Sequence, residues 1–111
     1  MIAKKYNCLG IKLFKFGKYQ AYIWFCPKDS VIKEHTHNEV KVRIIYLFGR
    51  IIFSKDRRSK LMSIKHFLRS FIINPQQLHA AIACSFSAFI TFEKWLNNSV
   101  VTNLATNIKE I

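Results

Sequence analysis

Glycine occurs three times and proline twice in these 111 residues, and six acidic side chains stand against 18 lysines and arginines. Three glycines are too few for a phosphate-binding loop or a dinucleotide fingerprint, both of which need several at fixed spacing. The cysteines, Cys8, Cys26 and Cys84, are odd in number and scattered, with no C-x-x-C pair. That usage argues against a disulfide framework and a cysteine zinc site, and mildly for a reducing cytoplasm. No serine lies in a G-x-S-x-G nucleophile elbow. Lys12, Lys15 and Lys18 interrupt any apolar stretch that a targeting segment would need after the N-terminus. Ser70 to Phe92 lacks Asp, Glu, Lys and Arg and is long enough to cross a bilayer. However, Asn74, Pro75, Gln76, Gln77 and His79 fall inside it and break a transmembrane helix by sterics and polarity. The expectation is therefore no membrane span.

What the chain does have is apolar bulk and positive charge. Half its residues are hydrophobic, including ten Phe, four Tyr and two Trp, which excludes a disordered chain. The length suits one domain over residues 1–111 with a single core. The formal net charge of +12 suits nucleic acid, an anionic surface or a phosphorylated small molecule, and equally plain solubility.

The rhythm is that of short strands. Ile11 to Phe16 and Tyr19 to Phe25 are β-branched and aromatic, separated by Gly17-Lys18. Pro27 to Ser30 reads as a turn, Val31 to His37 as a strand with a bend at Asn38-Glu39, and Val40 to Phe48 as a strand ending at Gly49. Arg50 to Ser54 follows, then Lys55 to Lys60 reads as an exposed loop tip. Leu61 to Lys65 and Phe67 to Ile73 read as strands, or Lys60 to Leu68 as one short helix. Leu78 to Cys84 and Phe86 to Trp95 close the series, with the tail 96–111 lacking a clear period. Such a series predicts an all-β sandwich or barrel.

Three of the four histidines stand in a pattern that metal chemistry uses. His35-Thr36-His37 places two imidazoles on one face of a strand, and His79, behind the Pro75 turn, supplies a third. His66, between Lys65 and Phe67, reads as a surface histidine. These residues resemble the two motifs of the cupin superfamily, G-x5-H-x-H-x3,4-E-x6-G and G-x5-P-x-G-x2-H-x3-N. With His35 and His37 as anchors, Gly49 takes the closing glycine of the first motif, Asp29 its opening glycine and Val42 its acidic ligand. His79 takes the histidine of the second, with Gln76 at its glycine, Asn74 at its proline and Ala83 at its final asparagine. Pro75 is displaced by one residue, as in the P-P-x-x-x-H variants of the family. The resemblance spans about Tyr22 to Trp95 and implies a cupin-like jelly-roll β-barrel, a metal or small ligand at its centre, and a homodimer.

Two functional readings follow. In the first, His35, His37 and His79 hold a divalent metal beside a small-molecule cavity, with Glu39 as substitute carboxylate if the strand runs on unbroken, or as a rim residue if the chain turns at Asn38. Zinc, iron, manganese and nickel all remain open, as does a metal-free barrel in which the histidines only line a pocket. The reaction, if there is one, is not named by these residues. In the second reading, Arg57, Arg58, Lys60, Lys65 and Arg69 form a surface for nucleic acid or another polyanion. Against it stands the bland role of such charge, which keeps an edge-rich β protein soluble.

Overall fold

A computed structural model describes the backbone of residues 2–5, 8–102, 104 and 109–110, and the side chains of residues 8–97, 99–102 and 104. The Lys4 and Lys5 side chains and tail residues 103, 105–108 and 111 lie outside the described residues. The described residues form eleven strands: β1 (Ile2–Lys5), β2 (Cys8–Phe16), β3 (Tyr19–Cys26), β4 (Val31–Thr36), β5 (Val40–Phe48), β6 (Ile51–Lys55), β7 (Arg58–Met62), β8 (Ser70–Ile73), β9 (His79–Ala83), β10 (Ser87–Trp95) and β11 (Lys109–Glu110). They pair antiparallel in two sheets, β1-β2-β3-β10-β5-β8 and β11-β4-β9-β6-β7. This is a jelly-roll β fold. Among the described residues no helix is long and apolar enough to cross a membrane.

Alternation decides which side chains meet between the sheets. In β5, Val40, Val42, Ile44 and Tyr46 are buried while Lys41 and Arg43 are exposed, the period of two that a one-sided sheet imposes. In β10 the buried parity runs through Phe89, Thr91, Glu93 and Trp95, and Phe92 and Lys94 face out. Phe53 on β6 then meets Phe71 and Phe89 of the other sheet edge to face, at 5.2 and 5.3 Å between ring centroids, a geometry favoured by the ring quadrupole.

Three expectations need correction. Lys55 to Lys60 is not a loop tip: β6 and β7 pair through Lys55↔Arg58, leaving only Asp56 and Arg57 in the turn. Both have positive φ, 51° and 64°, as a type I′ hairpin requires. Its second strand looks like a loop in sequence because β7 is an edge strand, exposed along most of its length. The helix considered over Lys60 to Leu68 reduces to a 3-10 turn at Ile64–His66. Finally, Cys8 and Cys26 are not isolated thiols but form a disulfide. Leu9 pairs with Phe25 in the β2–β3 ladder, so one step further the two cysteines face each other at a Cα separation of 4.3 Å. Spacing of 18 residues hid a pairing that the hairpin register creates. Because disulfides persist in oxidising compartments, cysteine usage no longer supports a cytoplasmic setting.

Candidate metal centre

His35, His37 and His79 converge. His35 lies near the end of β4, opposite His79, the first residue of β9, and His37 follows immediately after β4. All three are buried, at 3%, 5% and 9% exposure. A bulge in β4 between Ile32 and His35 shifts the register there and re-aims the end of the strand, as bulges do beside sites. One ring nitrogen from each of the three lies within 4.8 Å of the other two.

The backbone sets two of the tautomers. His35 Nδ1 donates to Lys33 O at 2.6 Å and His79 Nδ1 to Gln77 O at 2.9 Å. A carbonyl only accepts, so the proton sits on Nδ1 and the Nε2 lone pair is left for the centre. His35 Nε2 and His37 Nε2 stand 3.1 Å apart. Two nitrogens sharing a first-row ion at about 2.1 Å would stand about 3.0 Å apart in octahedral and about 3.4 Å in tetrahedral geometry. The trio therefore fits a metal by donor chemistry, and the His35–His37 pair fits one by spacing as well. Burial, aided by the neighbouring His35 and His37, lowers the pKa of His79 from 6.5 to about 3, which keeps its imidazole neutral and able to ligate at physiological pH.

The remaining candidates fall elsewhere. Glu39 is exposed in the bend after His37 with φ 64°, so the chain does turn at Asn38 and this carboxylate sits on the rim, outside the gathered donors. Val42 is buried and lines the same cavity as the histidines. His66 is remote in role: its Nδ1 accepts from Ser63 N at 3.1 Å across the 3-10 turn. Arg57, Arg58, Lys60, Lys65 and Arg69 are all exposed, and Arg57 pairs with Glu34 at 3.5 Å.

Backbone conformation supports the motif alignment where the residues depart from it. Asp29 and Gln76, which stand at two glycine positions of the motifs, adopt φ 70° and 62°, and Gly49 adopts 90°. All three lie in the left-handed region that glycine enters without cost. At Gly49 no side chain would fit in any case, since a Cβ would collide with Phe86 O and Ser87.

The cavity has a volume of about 70 Å³, where one water takes about 10–15 Å³, so it admits a molecule of a few non-hydrogen atoms. Beyond the histidines its walls are mainly apolar, with Trp24, Ile44, Phe53, Phe71 and Phe89 prominent. On the side away from the histidine-bearing sheet lies a polar network that sequence reasoning missed. Trp24 Nε1 donates to Thr91 Oγ1 at 2.9 Å, Thr91 to Glu93 Oε2 at 3.3 Å, and Gln20 Nε2 and Trp95 Nε1 to Glu93 Oε1 at 3.0 and 2.9 Å. Burial raises the Glu93 pKa from 4.5 to about 7 against the lowering effect of these donors and of Lys12. The available signal was parity, because Glu93 shares the face of Phe89 and Trp95.

No protein-family model matches this sequence, and no curated protein is significantly similar to it in sequence. Solved structures are similar in fold. The KdgF protein of a Halomonas species superposes with a TM-score of 0.76 at 12% identity over 91% of each chain. An RmlC-like cupin of Shewanella frigidimarina gives 0.76 at 16% identity, over 91% of this chain and 88% of that one. The cupin domain of Cnp3 from Schizosaccharomyces pombe gives 0.71 at 11% identity, over 86% of this chain and 68% of that one. With its two antiparallel sheets and its three inward histidines at the motif positions, this chain has the cupin fold.

Proposed function

We propose that residues 1–111 form a single cupin-type domain that holds a divalent metal through His35, His37 and His79 and binds a small molecule beside it. The observation that carries this reading is the pair of Nε2 atoms 3.1 Å apart, each ring buried and one of them, His35, anchored through Nδ1 to a backbone carbonyl. With Val42 in place of an acidic ligand and Glu39 on the rim, the donors are three imidazoles. Such a set suits zinc, iron or nickel better than manganese, which favours oxygen. A bound metal supplies Lewis acidity that lowers the pKa of a coordinated acid. The chain contributes orientation, through the carbonyls of Lys33 and Gln77, and exclusion of water, through the apolar walls. The size and lining of the cavity favour a compact, largely apolar ligand with one polar end. The test is metal analysis of tag-free protein after dialysis against zinc or iron, beside His37→Ala. One equivalent in the wild type and at least a hundredfold weaker binding in the variant are expected. Equal, substoichiometric metal in both would overturn the reading.

The domain is also proposed to pair with a second copy. Leu9, Ile11, Phe14 and Phe92 on the six-stranded sheet are each 37–42% exposed, and Phe14 meets Phe92 edge to face at 5.2 Å. Apolar groups clustered on one outer sheet face mark an interaction surface. Light scattering on a sizing column should give twice the chain mass of 13.1 kDa. A monomer at micromolar concentration would remove the proposal.

A further inference from the structure

Glu93 is the one carboxylate buried among the described residues, and its two oxygens are held differently. Oε1 accepts from Gln20 Nε2 and Trp95 Nε1. The Gln20 amide is fixed in that orientation by a second acceptor, Thr102 O at 2.8 Å. Indole and amide N–H groups can only donate, so Oε1 is committed to accepting. Among the described residues Oε2 has one hydrogen-bond partner, the Thr91 hydroxyl, and a hydroxyl can reverse. Thr91 Oγ1 also accepts from Trp24 Nε1, and Thr91 lines the cavity. When Glu93 is ionised, Thr91 donates to Oε2 and turns a lone pair toward the cavity. When Oε2 is protonated, Glu93 donates to Thr91 and the threonine proton turns to the cavity instead.

We propose that Thr91 and Glu93 form a proton relay that takes one proton from a weakly acidic ligand as it binds in the cavity as an anion. The O–H or N–H bond of the ligand breaks and the ligand keeps the electron pair. Its proton passes to Thr91 Oγ1 while the threonine's own hydroxyl proton passes to Glu93 Oε2. Atoms and charge balance: the ligand gains one negative charge, Glu93 becomes a neutral acid and Thr91 is unchanged. The inference deepens the metal-and-ligand reading above and rests on it, and it names the ligand class as a compact weak acid. The neighbours of Glu93 are compatible with a reversible proton. Gln20 and Tyr22 face it from β3 and Lys12 from β2, and its partner on β5 is the non-ionisable Val42. With a pKa near 7, both forms are accessible close to neutrality.

The probe is acetohydroxamic acid, small enough for the cavity, titrated into zinc-loaded protein just above neutral pH in buffers of different ionisation enthalpy, so that calorimetry counts released protons. Wild type should release at least half a proton less per probe bound than Glu93→Gln or Thr91→Val, with Thr91→Ser restoring the wild-type count. Equal release from all four overturns the relay. Should Glu93→Gln fail to fold, Thr91→Val and Thr91→Ser still read the outcome. Zinc content, measured beforehand, separates failure of the metal reading from failure of the relay. If zinc does not load, carbon NMR of glutamate-labelled protein decides alone. The Glu93 carboxyl must titrate near neutrality, with its midpoint raised in Thr91→Val and restored in Thr91→Ser. A carboxyl that does not titrate there, or that ignores Thr91, overturns the proposal.

Discussion

Glu93 stands directly opposite Val42 across the β5–β10 ladder. The buried carboxylate of the barrel thus neighbours the position at which the cupin motif carries its acidic ligand, without occupying it. Val42→Glu tests what that displacement means. In metal-free protein the new carboxylate would be buried beside Glu93, at a cost of several kcal/mol, about 2–5, or would stay protonated. Added zinc should restore the melting temperature of Val42→Glu to at least that of the zinc-loaded wild type. Destabilisation that zinc does not rescue would separate Val42 from the metal centre. Glu39→Gln should leave metal affinity unchanged within about twofold, as its rim position requires.

The two buried titratable groups set opposite slopes of stability with pH. His79, lowered from 6.5 to about 3 in the fold, binds its proton more readily when unfolded, so its contribution is lost as pH falls from 6.5 toward 3. Glu93, raised from 4.5 to about 7, contributes fully below 4.5 and loses that contribution as pH rises through 7. Metal-free protein should therefore gain stability from pH 3 to 4.5, change little to 6.5 as the slopes cancel, and lose some by 7. Melting curves of Glu93→Gln should retain the rise and lack the loss. An identical profile in the variant would contradict this assignment.

Gln76 holds a left-handed conformation at a motif glycine position. Release of that strain is worth about 1–2 kcal/mol, and the greater unfolded-state freedom of glycine takes back about 0.5–1. Gln76→Gly should accordingly stabilise the protein by up to about 1 kcal/mol in chemical denaturation, without altering metal content. Gln76→Val, β-branched and intolerant of positive φ, should destabilise it. The reverse order would mean that this turn is not strained.

The exposed basic residues receive a separate test. If they bind a polyanion, affinity for a random-sequence duplex or single strand should fall steeply between low and physiological salt, and Arg57→Ala with Arg58→Ala should reduce it. Their placement favours the plainer role, since Arg58 and Lys60 lie on edge strand β7, where charge discourages strand addition. No binding at low salt is the expected result.

Much of this was legible in the residues. The alternation of Val40 to Phe48 announces a one-sided strand, and His35, His37 and His79 could be placed near one another through the resemblance to a known motif. Two of the features that escaped share a cause, because strand register is a tertiary property. The Cys8–Cys26 disulfide and the placement of Glu93 between Gln20 and Val42 depend on which strands pair and in what phase. Edge strand β7 escaped for the opposite reason, since with little of it buried it carries no apolar period. Glu39 turned on a single dihedral at a bend.

The chain contains only two tryptophans, and both indoles donate into the same polar network, Trp24 to Thr91 and Trp95 to Glu93. Indole emission responds to nearby charge and to hydrogen bonding, so the fluorophores are wired by nature to the carboxylate they surround. Emission recorded without label or dye should shift as Glu93 changes its ionisation and as the cavity beside Trp24 fills. The barrel carries its own optical gauge.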